Sequence, residues 1–186
     1  MIQSQLGVNK DQVLFVDHHL SSAASSFLVS PFDEAAILTV DDLGEWATAT
    51  FGAGRGSVIQ HHKEMRFPHS VGLLCSAFTA FHGFEVNEGE YKVTGMVAYG
   101  ERRYVDDVWK LVRQREDGSI ELGMDYFAFH YSTTRMYGRK CGSLFGCSRQ
   151  SGMPFGSASE DQGGCRTLSD EVVRFADIAR PWLKRF

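Results

Sequence analysis

The run Val13-Leu14-Phe15-Val16 is apolar without alternation, the pattern of a strand covered on both faces, and it ends in the polar cluster Asp17-His18-His19. Small residues follow, and 19–29 read as a helix rich in Ala and Ser. Pro31-Phe32-Asp33-Glu34 is a turn, after which 35–41 form a second strand. Residues 46–51 alternate with period two as a third strand, Gly52 to Gly56 read as a hairpin turn, and a fourth strand covers 57–66. Pro68-His69-Ser70 opens a helix capped by His69 or Ser70, with Val71, Leu74, Cys75, Phe78 and Phe81 at core spacing and a stop at Gly83. Residues 87–100 are polar and punctuated by glycine. An amphipathic helix is predicted over 104–115, then a hairpin over 116–129 turning at Asp117-Gly118. From Gly146 to Gly164 no periodicity survives, and helical spacing returns from Leu168 to Ala179.

The pattern places chemistry at the strand ends. Asp17-His18-His19 closes the first strand and Asp41-Asp42 the second, and α/β proteins assemble metal and phosphate sites at the carboxyl ends of neighbouring strands. One imidazole and one carboxylate suit an open iron, manganese or zinc site completed by water. The plainer reading is that Asp17 caps the next helix and His18 is a satisfied imidazole. Position 22, one helical turn beyond His18, would suit a further ligand and holds Ser22. Asp41-Asp42-Leu43-Gly44-Glu45-Trp46 is either an acidic turn that holds a cation against phosphate or an ordinary hairpin turn. In Glu88-Gly89-Glu90-Tyr91-Lys92, Lys92 either meets an anionic substrate group or belongs to a surface salt-bridge pattern.

Bulk properties narrow the classes. A chain of 186 residues, 43% apolar and 23% charged, can build one ordinary domain. A net charge of −4 and scattered arginines argue against nucleic acid. The N-terminus lacks a signal-peptide pattern and no apolar run reaches bilayer length, so a cytoplasmic location without membrane contact is expected. The four cysteines form no CxxC pair, and Cys75 reads as a buried free thiol.

The segments DHHLS-x-AAS, TVD-x-x-GEWAT, FPHS-x-GLL-x-SAFT and GEYKV-x-G-x-x-YG, with the later YFAFHY and RK-x-x-x-LFG, together resemble the NodU/CmcH-type O-carbamoyltransferase family over 13–146. The resemblance implies an α/β fold: a partial actin-like ATPase (ribonuclease H-like) domain with a mixed sheet and flanking helices, related to the transferases of tRNA threonylcarbamoylation. In such domains strand, acidic turn, strand and hairpin build a phosphate-facing loop. The division it implies is 1–146 as a partial N-terminal carbamoyltransferase domain, 147–165 as a divergent loop-like segment and 166–186 as a C-terminal helix.

The family's chemistry follows as expectation. A YrdC-like domain makes carbamoyl-adenylate from carbamoyl phosphate and ATP, and an iron-binding domain passes the carbamoyl group to a hydroxyl of a sugar, antibiotic or other small molecule. The family's ligands are a His-x-x-x-His pair, a strand-end aspartate and a later aspartate. His18 and Asp41 match the first histidine and the strand-end aspartate, Ser22 stands at the second histidine, and the later aspartate falls beyond the matched region. Fe(II) or another divalent ion in a weakened site is therefore expected, with Gly44, Glu45, Glu90, Lys92 and Gly95 as substrate- or phosphate-binding candidates. Gly44 and Gly95 would contribute backbone amides.

This sequence departs from the family pattern in lacking the YrdC-like part, in Ser22, and in 147–165, for which a reading-frame disturbance or a divergent loop would account. Two alternatives stand beside the transferase: an inactive remnant or binding module that keeps the scaffold, and an actin-like ATPase. An incomplete sheet implies dependence on other domains or self-association.

Overall fold

The computed structural model describes residues 5, 7–96, 104–146 and 148–151. Helix α1 (His18–Phe27) leads into a three-stranded meander, β1 (Glu34–Gly44), β2 (Ala47–Arg55) and β3 (Val58–Arg66). Helix α2 (Val71–Phe81) follows, then α3 (Glu90–Met96) and α4 (Val105–Leu111). A small hairpin of β4 (Val112–Gln114) and β5 (Ile120–Leu122) precedes α5 (Arg139–Phe145). Both sheets pair antiparallel, in the orders β1-β2-β3 and β4-β5.

The sheet carries a helix on each face. Alternation along β1 sends Ile37 towards Ala23 and Phe27 of α1, and Leu38 towards the larger core. That core joins Phe51 and Met65 of the sheet to Leu74, Phe78 and Phe81 of α2, Leu111 of α4, Ile120 and Leu122 of the hairpin, and Phe145 of α5. An α/β domain of helices flanking a sheet is what the sequence predicts.

Several elements differ from expectation. Residues 13–17 form no strand: Leu14 and Phe15 are 87% and 90% exposed, because no described strand lies beside them. The predicted turn at Gly52–Arg55 is the second half of β2, and the chain reverses at Gly56-Ser57. Gly52 and Gly54 are there for close approach: a side chain at Gly52 would strike the Gln60 carbonyl, and one at Gly54 the Phe27 ring. The predicted helix over 104–115 ends at Leu111, where Val112–Gln114 pairs with Ile120–Leu122. The stretch 87–100 is helical over Glu90–Met96 instead of a loop. The helix predicted over 168–179 and the segment boundary at 165/166 lie outside the described residues. Among the described residues no helix is long and apolar enough to cross a membrane.

Candidate functional site

Two successive side chains at the end of β1 divide the site between them. Strand geometry sends Asp41 and Asp42 to opposite faces. Asp41 meets α1, and Asp42 meets α2 and α3.

On the first face, Asp17 is the N-cap of α1, its Oδ1 accepting from the Leu20 N–H at 2.9 Å. The cap sets His18 at the first helical position, where its Nε2 lies 2.5 Å from Asp41 Oδ2. The two side chains are 45% and 44% exposed, so the pair faces solvent and is open to a ligand. Burial works to raise the Asp41 carboxyl, but the Asp42 N–H, donating at 2.7 Å, and the His18 contact outweigh it and hold Asp41 below its ordinary value. Asp41 is therefore the carboxylate, and His18 Nε2–H is the donor.

His19 has the opposite fate. It is buried, with Nε2 donating to the Ala47 carbonyl at 3.0 Å. That bond fixes the tautomer: Nδ1 must accept from the Thr39 hydroxyl at 2.7 Å, and Thr39 in turn accepts from Thr50 at 2.7 Å. His19 thus ties α1 to β1 and β2. Of the plainer reading, Asp17 caps α1 as expected, while the buried, fully bonded core imidazole is His19 and His18 stays accessible beside Asp41.

On the second face, Ser76 in the middle of α2 donates to Asp42 Oδ2 at 2.8 Å and to Glu90 Oε1 at 3.2 Å. One hydroxyl hydrogen serves two carboxylates. Burial raises the Asp42 carboxyl above its ordinary value, the Ser76 bond opposes this, and the charges of Asp41 and Glu90 add to it. Glu90 also accepts from the Asn87 and Gly89 N–H groups at 2.9 and 3.2 Å, which binds the start of α3 to the same point. Ser70 caps α2 by accepting from the Leu73 N–H at 3.0 Å, and its hydroxyl reaches the carbonyls of Asp41 (3.1 Å) and Asp42 (2.8 Å). Gly72 leaves the space that the Asp42 carboxylate fills. The serines and glycine of FPHS-x-GLL-x-SAFT thus all hold the acidic strand end. Sequence reasoning missed Ser70's second role and Ser76 altogether. The available signal was a serine at a core-facing position of an otherwise apolar helix.

The remaining candidates are dispersed. Gly44 is buried, and a Cβ there would come within 2.5 Å of His18 Cδ2 and 2.9 Å of His19 Nε2, so its missing side chain is accounted for by the two imidazoles. Glu45 is exposed in the β1–β2 turn with φ of 63°. Lys92 Nζ sits 5.6 Å from the ring centres of both Phe84 and Tyr91, a cation–π arrangement. A Cβ on Gly95 would meet nothing within 4 Å. Ser22 lies one turn beyond His18, and its carbonyl accepts from Ser25 and Ser26. Among the described residues no group of three His, Cys, Asp or Glu side chains is placed to enclose a metal ion. Burial pushes the Cys75 thiol to about 11 and the Cys141 thiol to about 12; Cys75 is the free thiol expected but is half-buried rather than buried, whereas Cys141 is buried.

The chain is 49% identical over 140 residues to an uncharacterised protein of Synechocystis sp., sll1178, covering 75% of this chain and 23% of that protein. It is 34% identical over 94 residues to the nodulation protein NolNO of Sinorhizobium fredii, covering 50% of this chain and 14% of the relative. It is 28% identical over 111 residues to the nodulation protein NolO of Bradyrhizobium diazoefficiens, covering 59% and 20%. The chain therefore spans less than a quarter of the length of each of these relatives. The family model for the carbamoyltransferase N-terminus matches residues 4–160, past residue 146 where the motifs end, and the chain belongs to that family.

Proposed function

We propose that the chain forms part of a carbamoyltransferase that passes a carbamoyl group from carbamoyl-adenylate, itself derived from carbamoyl phosphate and ATP, to a hydroxyl of a sugar, antibiotic or other small molecule. The observation that carries this reading is the exposed His18–Asp41 pair at the end of β1, in a chain of the carbamoyltransferase N-terminal family.

The pair is chemically suited to a divalent ion such as Fe(II). An imidazole nitrogen and an ionised carboxylate are borderline and hard donors, both face solvent, and an ion can take the place of the proton between them. When bound, the ion would act as a Lewis acid on the carbonyl undergoing acyl transfer. With two protein donors and Ser22 at the next turn, affinity rests on water or substrate filling the other positions.

The protein's own groups define the rest. Asp17 and Gly44 fix the orientation of the His18 ring, the first by capping α1 and the second by making room. The Asp42 N–H helps keep Asp41 ionised, so its carboxylate stands ready beside His18 Nε2 as the second donor to an ion. The Asp42–Ser76–Glu90 bridge holds α3 and the strand end as one unit. Lys92 on α3 is a positive charge available to an anionic substrate.

The test supplies radiolabelled carbamoyl-adenylate and a panel of sugar and aminoglycoside hydroxyl acceptors to the full chain. Label should appear in an acceptor and be lost with His18→Ala and Asp41→Ala. Adenylate breakdown identical with and without protein, and no labelled acceptor, contradicts the proposal. The second reading, a non-catalytic module that keeps the scaffold, is favoured by the absence of a third ligating side chain among the described residues. It predicts that last outcome.

A further inference from the structure

A second site lies at the other end of α2. Phe81 lies eleven positions beyond Ser70, which sits beside the Asp41–Asp42 turn, and at 1.5 Å per residue that places the two about 16 Å apart. There Phe81, Tyr137 and α5 line an open, solvent-facing cavity of about 780 Å³, a volume within the range of small-molecule sites. Two guanidiniums, Arg135 and Arg139, line it together with the Tyr131 ring and the Ser143 hydroxyl.

This cavity carries two cations on one wall. Other cations of the chain carry a carboxylate partner: Lys140 has Asp125 at 2.6 Å, Lys110 has Asp107 at 2.6 Å, and Lys63 has Asp117 at 2.5 Å. Among the described residues neither Arg135 nor Arg139 has a carboxylate partner. Two like charges on one concave wall repel each other, and an anion between them removes that cost. The planar guanidinium fork matches phosphate or carboxylate oxygens and stacks on flat rings. The floor is aromatic and rigid, for Phe81 is buried and meets Tyr137 edge to face at 5.0 Å, and Tyr137 is held by its bridge to Phe127. Space is left on the helix side, because a Cβ at Gly142 would meet nothing within 4 Å.

We propose that this cavity binds a small organic phosphate, the phosphate on Arg135 and Arg139 and a planar ring against Tyr131 and Tyr137, with buried Phe81 backing the floor. The site is independent of the His18–Asp41 pair and of the reaction proposed for it. It is tested by calorimetric titration of the full chain with phenyl phosphate, inorganic phosphate and phenol at fixed ionic strength. Phenyl phosphate should bind more tightly than either half-ligand. Arg135→Gln combined with Arg139→Gln should weaken it at least tenfold. Gly142→Leu should block the cavity while the circular dichroism spectrum stays native. His18→Ala should leave binding unchanged. Absence of binding to the unmodified chain overturns the proposal, as does affinity retained in both the double-arginine and Gly142→Leu variants. Equal affinity for inorganic and phenyl phosphate overturns the ring contact.

Discussion

Gly44 has no side chain because His18 occupies the place one would take: a Cβ at Gly44 would lie 2.5 Å from the His18 ring. The glycine of the GEWAT motif thus sets the orientation of an imidazole whose other partner, Asp41, is three residues upstream of that glycine. Gly44→Ala is expected to destabilise the fold by about 1–3 kcal/mol through overpacking and to displace His18 from Asp41. Gly95→Ala, in open space on α3, should be neutral or stabilising by up to about 1 kcal/mol. Denaturant unfolding of the two variants side by side reads the difference.

The adjacent histidines should separate cleanly by their cost. His19→Ala removes a buried ring and leaves the Thr39 hydroxyl and Ala47 carbonyl without their partner, a loss of roughly 2–4 kcal/mol. His18→Ala breaks an exposed pair and should cost under about 1 kcal/mol. Equal costs would mean that the division between a structural and a functional histidine is misdrawn.

Ser76 couples the acidic turn to α3. Ser76→Ala leaves two half-buried carboxylates short of a donor and should lower stability by about 1–2 kcal/mol. In a double-mutant cycle with Glu90→Gln the costs should be non-additive, since both residues share one bridge. Additive costs would indicate that the bridge is not formed in solution.

A pH dependence follows from His82 at the C-terminal end of α2. Burial, with a smaller contribution from the Arg149 charge, pushes its imidazole down from 6.5 to about 4. The folded state resists protonation that the unfolded chain accepts, so the contribution is fully present above pH 6.5 and is lost as pH falls towards 4. The span corresponds to roughly 3 kcal/mol. The melting temperature should drop across that window, and His82→Gln should flatten the drop.

How far the sequence was legible depends on whether the signal was local. The meander β1–β3 and helices α1 and α2 follow from periodicity and from caps at Asp17 and Ser70. Gly52 and Gly54 looked like a turn because their cause, the Gln60 carbonyl and the Phe27 ring, is supplied by other elements. Val112–Gln114 looked helical because its pairing partner, Ile120–Leu122, is a tertiary fact as much as a local one. Leu14 and Phe15 carry a buried-strand pattern with no described strand to satisfy it. Within the site, the Asp17-His18-His19 and Asp41-Asp42 clusters were legible from the ends of two apolar runs, and the choice of His18 with Asp41 followed from the family resemblance. The Asp42–Ser76–Glu90 bridge was not, because it joins three elements that only packing brings together.

The central claim is that His18 and Asp41 form the open edge of a metal-assisted carbamoyl-transfer site. Anaerobic titration of the full chain with Fe(II), followed by calorimetry, tests it most directly. The account predicts weak stoichiometric binding that is abolished by His18→Ala or Asp41→Ala. It also predicts at least tenfold tightening, about 1.4 kcal/mol, on Ser22→His. No binding by either the unmodified chain or the Ser22→His variant, with native circular dichroism, would contradict it, as would binding that survives Asp41→Ala.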